Sequence, residues 1–296
     1  MDSDSFPLLA RGKLALRLCP GRGGGIASFE CCAVSGSNIE IFRPLDPADP
    51  SPAAPASFPL VPFVNRVRGG AFAFRGRTVT LERNMIPDPS PLHGQGWQAP
   101  WTVERLGPDS AELAYRHVPG EWPWAYEARQ TFDLDDRGLA LRLDCTNLSE
   151  EPMPCGLGQH PFFRCTPRTR IDTKVETVWT IDEKVLPVEQ VPAAGRFDLA
   201  DRLVCGQRLD HGFGGWSGRA VVTDPDWPFL LELSSPEARF FQLYSPASGG
   251  LFVAEPVTHA NAAMNEPEET WESLGLEVLD PGDTLSLTMR LDVIHT

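Results

Sequence analysis

The sequence predicts an all-β fold, a sandwich of large antiparallel sheets with few short helices. Apolar residues alternate with period two in many short runs. Clusters of turn-forming residues separate those runs, and helical periodicity is nearly absent. The 29 prolines and 26 glycines in 296 residues suit many turns and exclude long helices over most of the chain.

Near the start, "KLALRL" places Leu14, Leu16 and Leu18 on one face of a strand. "GRGGGIASF" (21–29) lacks the GxGxxG spacing of a phosphate cradle and reads as a turn between strands. The Pro/Ala-rich "DPADPSPAAPASFPLVP" (46–62) reads as a surface loop, not a linker, because strand signals continue unchanged on both sides. "FVNRVRGGAFAFRGRTVTL" (63–81) sets Asn65 and Arg66 before a glycine turn and an alternating strand. Further on, "GLALRLDC" aligns Leu139, Leu141, Leu143 and Cys145, and "DTLSLTMRLDVI" aligns Leu285, Leu287, Met289, Leu291 and Val293. Turns are expected at "LGPDS" (106–110), "DLDDRG" (133–138), "DPDWP" (224–228) and "DPGD" (280–283). Short helical segments are expected only near "FDLADRL" (197–203) and "NEPEETW" (265–271). Neither a composition shift nor a fixed-period repeat divides the chain, so residues 1–296 are expected to form one domain.

A formal charge of −14 argues against nucleic acid and anionic membrane surfaces as partners. "MDSDSFPLLARGK" has neither the basic nor the apolar region of a secretory signal, and no run approaches the ~20 apolar residues of a membrane helix. Seven cysteines, with no CxxC pair and no Cys/His zinc spacing, fit free thiols in a reducing cytoplasm.

Chemistry concentrates on a few residues. His160 lies in "GLGQHPFFRC", where Pro161 biases it toward extended geometry and Phe162 and Phe163 follow. His93 lies in the loop "PLHGQGW". Each is either a hydrogen-bonded structural histidine or a group that handles protons, and neither local context decides. Glu255, in "LFVAEPV", ends an apolar run where a strand is expected to leave the sheet. Shielding from water there raises a carboxyl toward the range of a general base, whereas full hydration would leave it an ordinary strand-end acid. Asp210 in "RLDHGFGGW" reads as a turn-forming acid beside aromatics, and Arg66 as a guanidinium able to fork onto hydroxyls or a carboxylate. The tryptophans at 97, 101, 122, 124, 216 and 227 fall in loop-like segments, where they serve either as core filling or as faces for a sugar ring.

Taken in order, "GGGIASFE", "NRVRGGAFAFRG", "PLHGQGWQAPW", "GLGQHPFF", "LDHGFGGW" and "FVAEPVTHANAAMN" resemble the aldose 1-epimerase (galactose mutarotase-like) family over nearly the whole chain. That resemblance implies a β-supersandwich and a monosaccharide site with neither metal nor organic cofactor, in a monomer or homodimer. It implies His160 as general acid and Glu255 as general base, with Arg66, His93 and Asp210 binding sugar hydroxyls. The chemistry would be opening of a cyclic hemiacetal, rotation of the freed aldehyde, and reclosure to the other anomer. Two departures stand out. Phe162 and Phe163 replace the tyrosine the family often has after the His-Pro pair, and Arg68 follows closely enough on Arg66 to compete for the ligand. A carbohydrate-binding module without turnover is the alternative. Glycoside hydrolysis by an Asp210–Glu255 pair would leave His160 unexplained.

Overall fold

The computed structural model describes residues 6–32 and 38–296. Residues 1–5, on which the reading of the N-terminus as unlike a secretory signal partly rests, lie outside it. Two large antiparallel sheets dominate. One has nine strands, ordered Arg202–Leu203, Arg170–Thr173, Arg219–Thr223, Phe229–Ser234, Thr284–His295, Gly138–Asn147, Tyr126–Leu134, Ser110–His117 and Thr102–Leu106. The other has eight. Seven run in the order Pro187–Pro192, Thr177–Ile181, Leu209–Gly214, Phe240–Ser245, Leu251–Val257, Gly158–Gln159 and Pro59–Leu60, and Phe162–Arg164 pairs beside Leu251–Val257. A four-stranded sheet from Leu8 to Glu40 completes the N-terminal side.

The period-two runs become half-buried strands as expected. Leu14, Leu16 and Leu18 are buried, as are Leu139, Leu141, Leu143 and Cys145, and Leu287, Met289, Leu291 and Val293. Each such side chain taken from water contributes about 2 kcal/mol before entropy is counted. The anticipated turns fall where the strands end, as at Asp280–Asp283, where Asp283 N–H donates to Asp280 O at 3.0 Å. Among the described residues the helical elements are single 3-10 turns of three residues, one of them Glu268–Thr270 inside the expected segment. The other expected helix, 197–203, is a turn that runs into the edge strand Arg202–Leu203. Leu199 is buried and its carbonyl accepts from Thr173 N–H, which pulls the backbone out to the sheet.

Residues 46–62 are not a surface loop throughout. Ala54 through Pro62 are buried, and Pro59–Leu60 pairs with Gly158–Gln159. Phe58 and Leu60 of this stretch pack with Val64, Phe162, Val253 and Val257 along a cleft, whereas Ala56 and Val61 join the main core. The loop-borne tryptophans 97, 101, 122, 124 and 216 are all buried, so they fill the interior.

The strands beneath the cleft have two apolar faces. Phe213, Phe241, Leu243, Phe252 and Ala254 pack into the main core. Residues one position away, Phe240, Val253 and Val257, join Phe58, Trp97 and Phe162 in a second cluster on the opposite face. That second face also carries the polar residues of the cleft.

Candidate active site

His160 and Glu255 meet inside the cleft. His160 Nε2 stands 3.6 Å from Glu255 Oε1, with 12% and 3% of the two side chains exposed. His160 follows the strand Gly158–Gln159, and its N–H donates to Phe58 O at 3.0 Å. Its ring stacks on Phe58 at 4.5 Å and leans on Phe162 at 4.7 Å. Arg43 lies 4.2 Å over the far side of the Phe162 ring and donates to the carbonyls of Ala53, Ala54 and Pro55, which locks that aromatic wall.

Glu255 does not end its strand, as expected from the sequence, but lies within Leu251–Val257. Alternation along that strand turns Val253, Glu255 and Val257 to the cleft. Burial pushes the carboxyl well above the usual glutamate range, the Asp210 charge adds to this, and Arg66 opposes it. Burial also brings His160 down to about 3. Both shifts favour a neutral pair, with the imidazole unprotonated and the carboxyl keeping its proton to higher pH than a free glutamate. Glu255 Oε2, His160 Nδ1 and Gln242 Oε1 are buried without a hydrogen-bond partner. These three leave polar groups on the cleft face open to a hydrogen-bonding ligand.

His93 and Arg66 enter on neighbouring loops. Asn65 and His93 both adopt left-handed backbone, with φ of 55° and 60°. His93 N–H donates to Asn65 O at 2.9 Å, and Asn65 N–H donates to His93 Nδ1 at 3.2 Å. Accepting at Nδ1 puts the imidazole proton on Nε2. Burial, then His160 and Arg66, keep His93 neutral well below the usual histidine range. Its ring meets His160 edge-on at 5.5 Å.

Arg66 bonds Asp88 Oδ2 through Nε at 3.0 Å and Nη2 at 2.9 Å, and reaches Asp210 Oδ2 at 3.8 Å. Only 10% of its side chain is exposed, against 44% for Arg68, which turns outward to Glu266 and Pro187 O. The structure thus separates the two arginines and brings Arg66 alone to Asp210. Asp210 is not in a turn but in the strand Leu209–Gly214, where Gln242 Nε2 donates to its Oδ1 at 2.7 Å. Burial raises its pKa against the pull of Arg66 and Gln242.

All the sequence-predicted site residues therefore converge on one cleft. Sequence reasoning missed Asp88, Gln242 and Phe58. It also missed what the "THANAAMN" segment does. His259 Nε2 accepts from Val64 N–H at 3.0 Å, Asn261 Oδ1 from Arg66 N–H at 3.1 Å, and Asn265 Oδ1 from Arg68 N–H at 2.6 Å. Three side chains thus hold alternate amides of the Asn-Arg segment. Repeated His and Asn in that motif are the signal that could have shown it. Among the described residues no cluster of three or more His, Cys, Asp or Glu side chains is arranged to hold a metal ion.

Known proteins share this sequence pattern and this fold. The family model described as aldose 1-epimerase matches residues 19–292. YphB of Escherichia coli K12, an uncharacterised protein, is 34% identical over 247 residues, covering 80% of this chain and 83% of YphB. The crystal structure of a provisionally assigned aldose 1-epimerase from E. coli K12 superposes with a TM-score of 0.87 at 28% identity, covering 99% of both chains. A galactose mutarotase-like protein from Clostridium acetobutylicum shares the fold, with a TM-score of 0.84 at 17% identity over 98% of this chain and 95% of that one. With the fold, the cleft and a match over nearly the whole sequence in agreement, the chain belongs to the aldose 1-epimerase family.

Proposed function

We propose that the protein is an aldose 1-epimerase that interconverts the α and β anomers of a free aldose, with residues 1–296 acting as one domain in the cytoplasm. The observation that carries this reading is the buried imidazole facing a buried carboxyl across 3.6 Å. The two oxygens of a hemiacetal sit on one carbon, so the groups that exchange protons with them must stand close together.

Ring opening removes the proton from the anomeric hydroxyl and delivers one to the ring oxygen. Glu255 serves as the base for the hydroxyl and His160 as the acid for the ring oxygen. After rotation about the bond to C2, the open aldehyde recloses with the roles exchanged. The cycle needs one proton on the pair and returns it, and no covalent intermediate forms. Burial favours the proton on Glu255 over His160, which supports a variant in which Glu255 gives its proton to the ring oxygen and His160 takes one from the hydroxyl. Both assignments balance and use the same two residues. His93 Nε2–H, Arg66 and Asp210 hold the remaining hydroxyls, and Phe58 and Phe162 keep the reacting carbon away from bulk water. Proton transfers alone complete the cycle, so the reading requires no cofactor.

Exchange NMR or polarimetry on fresh α-glucose, α-galactose and other aldoses tests the reading. Equilibration faster than buffer, abolished in His160→Ala and Glu255→Gln, is expected. If no sugar in the panel is accelerated, the catalytic claim fails, and binding without exchange would make the protein a carbohydrate-binding module.

A further inference from the structure

The eight-stranded sheet carries the cleft face well beyond Glu255. Directly paired residues of an antiparallel ladder point to the same side of a sheet. Glu255 pairs with Gln242, and Gln242 with Gly212. The next ladder joins Thr177 to Gly214 and Val178 to Phe213, which sets Trp179 beside Gly212, and Trp179 pairs with Gln190. One row therefore runs Glu255, Gln242, Gly212, Trp179, Gln190 across the face that holds the reacting pair. At about 4.8 Å per strand, Trp179 stands roughly 14 Å from Glu255 along the row.

The indole lies over the two glycines. A Cβ on Gly214 would come within 3.2 Å of its Cη2, and one on Gly212 within 3.9 Å of its Cε3. Glycine at both positions leaves room for the ring to lie down, and Gly212 remains partly exposed between the indole and Gln242. Trp179 is itself half-buried and so keeps exposed surface. Two open surface cavities of about 1080 and 760 Å³ meet there, both lined by Trp179, Gln190 and Ser273. The second is also lined by Asn261, whose Oδ1 accepts from the Arg66 N–H. A flat indole with Gln190, Thr177 and Ser273 beside it, in cavities that also carry charged side chains such as Lys184, Asp182 and Arg239, matches a sugar ring, which offers an apolar face and a hydroxylated rim.

We propose that Trp179 forms a second saccharide subsite, which takes the next unit of a reducing disaccharide or oligosaccharide whose terminal hemiacetal lies between His160 and Glu255. This rests on the epimerase reading. The second unit undergoes no reaction, and only the terminal ring opens and recloses.

The test measures anomeric exchange of glucose and galactose beside that of cellobiose, maltose and lactose, in the wild type, Trp179→Ala and Trp179→Phe. Expected is a kcat/KM for at least one disaccharide that matches or exceeds that for the monosaccharides. Trp179→Ala should lower it tenfold or more, mainly through KM, and Trp179→Phe should restore most of it, with the monosaccharide values held within about twofold. Equal loss on both sugar classes, or no loss on either, overturns the proposal. If no sugar is equilibrated, the epimerase reading fails separately. Calorimetry with the same disaccharides then decides the subsite: binding lost in Trp179→Ala and kept in Trp179→Phe upholds it as a saccharide site, and no binding to the wild type removes it.

Discussion

Gln242 stands directly opposite Glu255 in the ladder and spends its amide N–H on Asp210, 2.7 Å away. One side chain thus stands beside the carboxyl of the proposed acid/base pair and bonds the acid proposed to hold a sugar hydroxyl. Gln242→Leu keeps the bulk and removes the donor. We expect KM to rise about tenfold, the roughly 1.5 kcal/mol of one hydrogen bond to a charged group. Saturation curves from exchange NMR check this, with thermal melting as the control for folding.

Removing either member of the proton-exchanging pair should act on kcat. His160→Ala and Glu255→Gln are each expected to lower it by roughly 10²–10⁴-fold. Sugar affinity measured by calorimetry should change far less, because Arg66, His93 and Asp210 remain in place. A variant that loses affinity but keeps kcat would assign that residue to binding alone.

The pH profile follows from where the pair keeps its proton. With ordinary values near 4.5 and 6.5, a pair that works as carboxylate and imidazolium would be active only between those limits. Here His160 lies at about 3 and Glu255 well above 4.5. The one-proton state then spans a plateau from about 3 up to the raised value of Glu255, wider than that of an ordinary pair. kcat/KM should fall on the acid side only as pH approaches about 3, provided the fold survives, and on the alkaline side as Glu255 loses its proton. A narrow optimum near pH 5.5 would contradict this placement.

Stability should fall on the acid side for a separate reason. His259 is neutral, with Nδ1 donating to Ala260 O at 2.8 Å and Nε2 accepting from Val64, and burial lowers it to about 4. Below pH 6.5 the unfolded chain takes up the proton and the folded one does not, so stability is lost as pH falls from 6.5 toward 4. From His259 alone the loss is about 3 kcal/mol. Urea melts at pH 7 and pH 4 measure it, and in His259→Gln the dependence should shrink by that amount. Gly156→Ala should destabilise at every pH, because its new Cβ would lie 1.9 Å from His259 Cδ2.

What is legible in the sequence follows physical range. Period-two alternation is local, so the strands at Leu14–Cys19, Gly138–Asn147 and Thr284–His295 show in the order of residues alone. His160, Glu255, Arg66, His93 and Asp210 are recognisable because each sits in an unusual local setting and their order resembles a family. Gln242 and Asp88 have ordinary neighbours in the sequence. They become site residues only through cross-strand register and a loop that folds back onto Arg66. Phe58 is hidden for the opposite reason: its Pro/Ala-rich surroundings look like exposed loop, yet the chain there is a wall. Trp179, a half-buried tryptophan that lines the groove, lies in a strand and not among the loop-borne ones.

The strand Leu251–Val257 has a consequence for how this protein could diversify. Its odd positions face the cleft and its even positions the packed interior between sheets. Substitutions at Val253 or Val257 could therefore recut the pocket for a different sugar while Phe252 and Ala254 keep the molecule folded. A one-residue insertion would do the reverse. It would send the carboxylate into the apolar core and a hydrophobic side chain into the cleft, ending folding and chemistry together. Point substitutions along this ladder are thus an open route to new specificity, and length changes are a closed one.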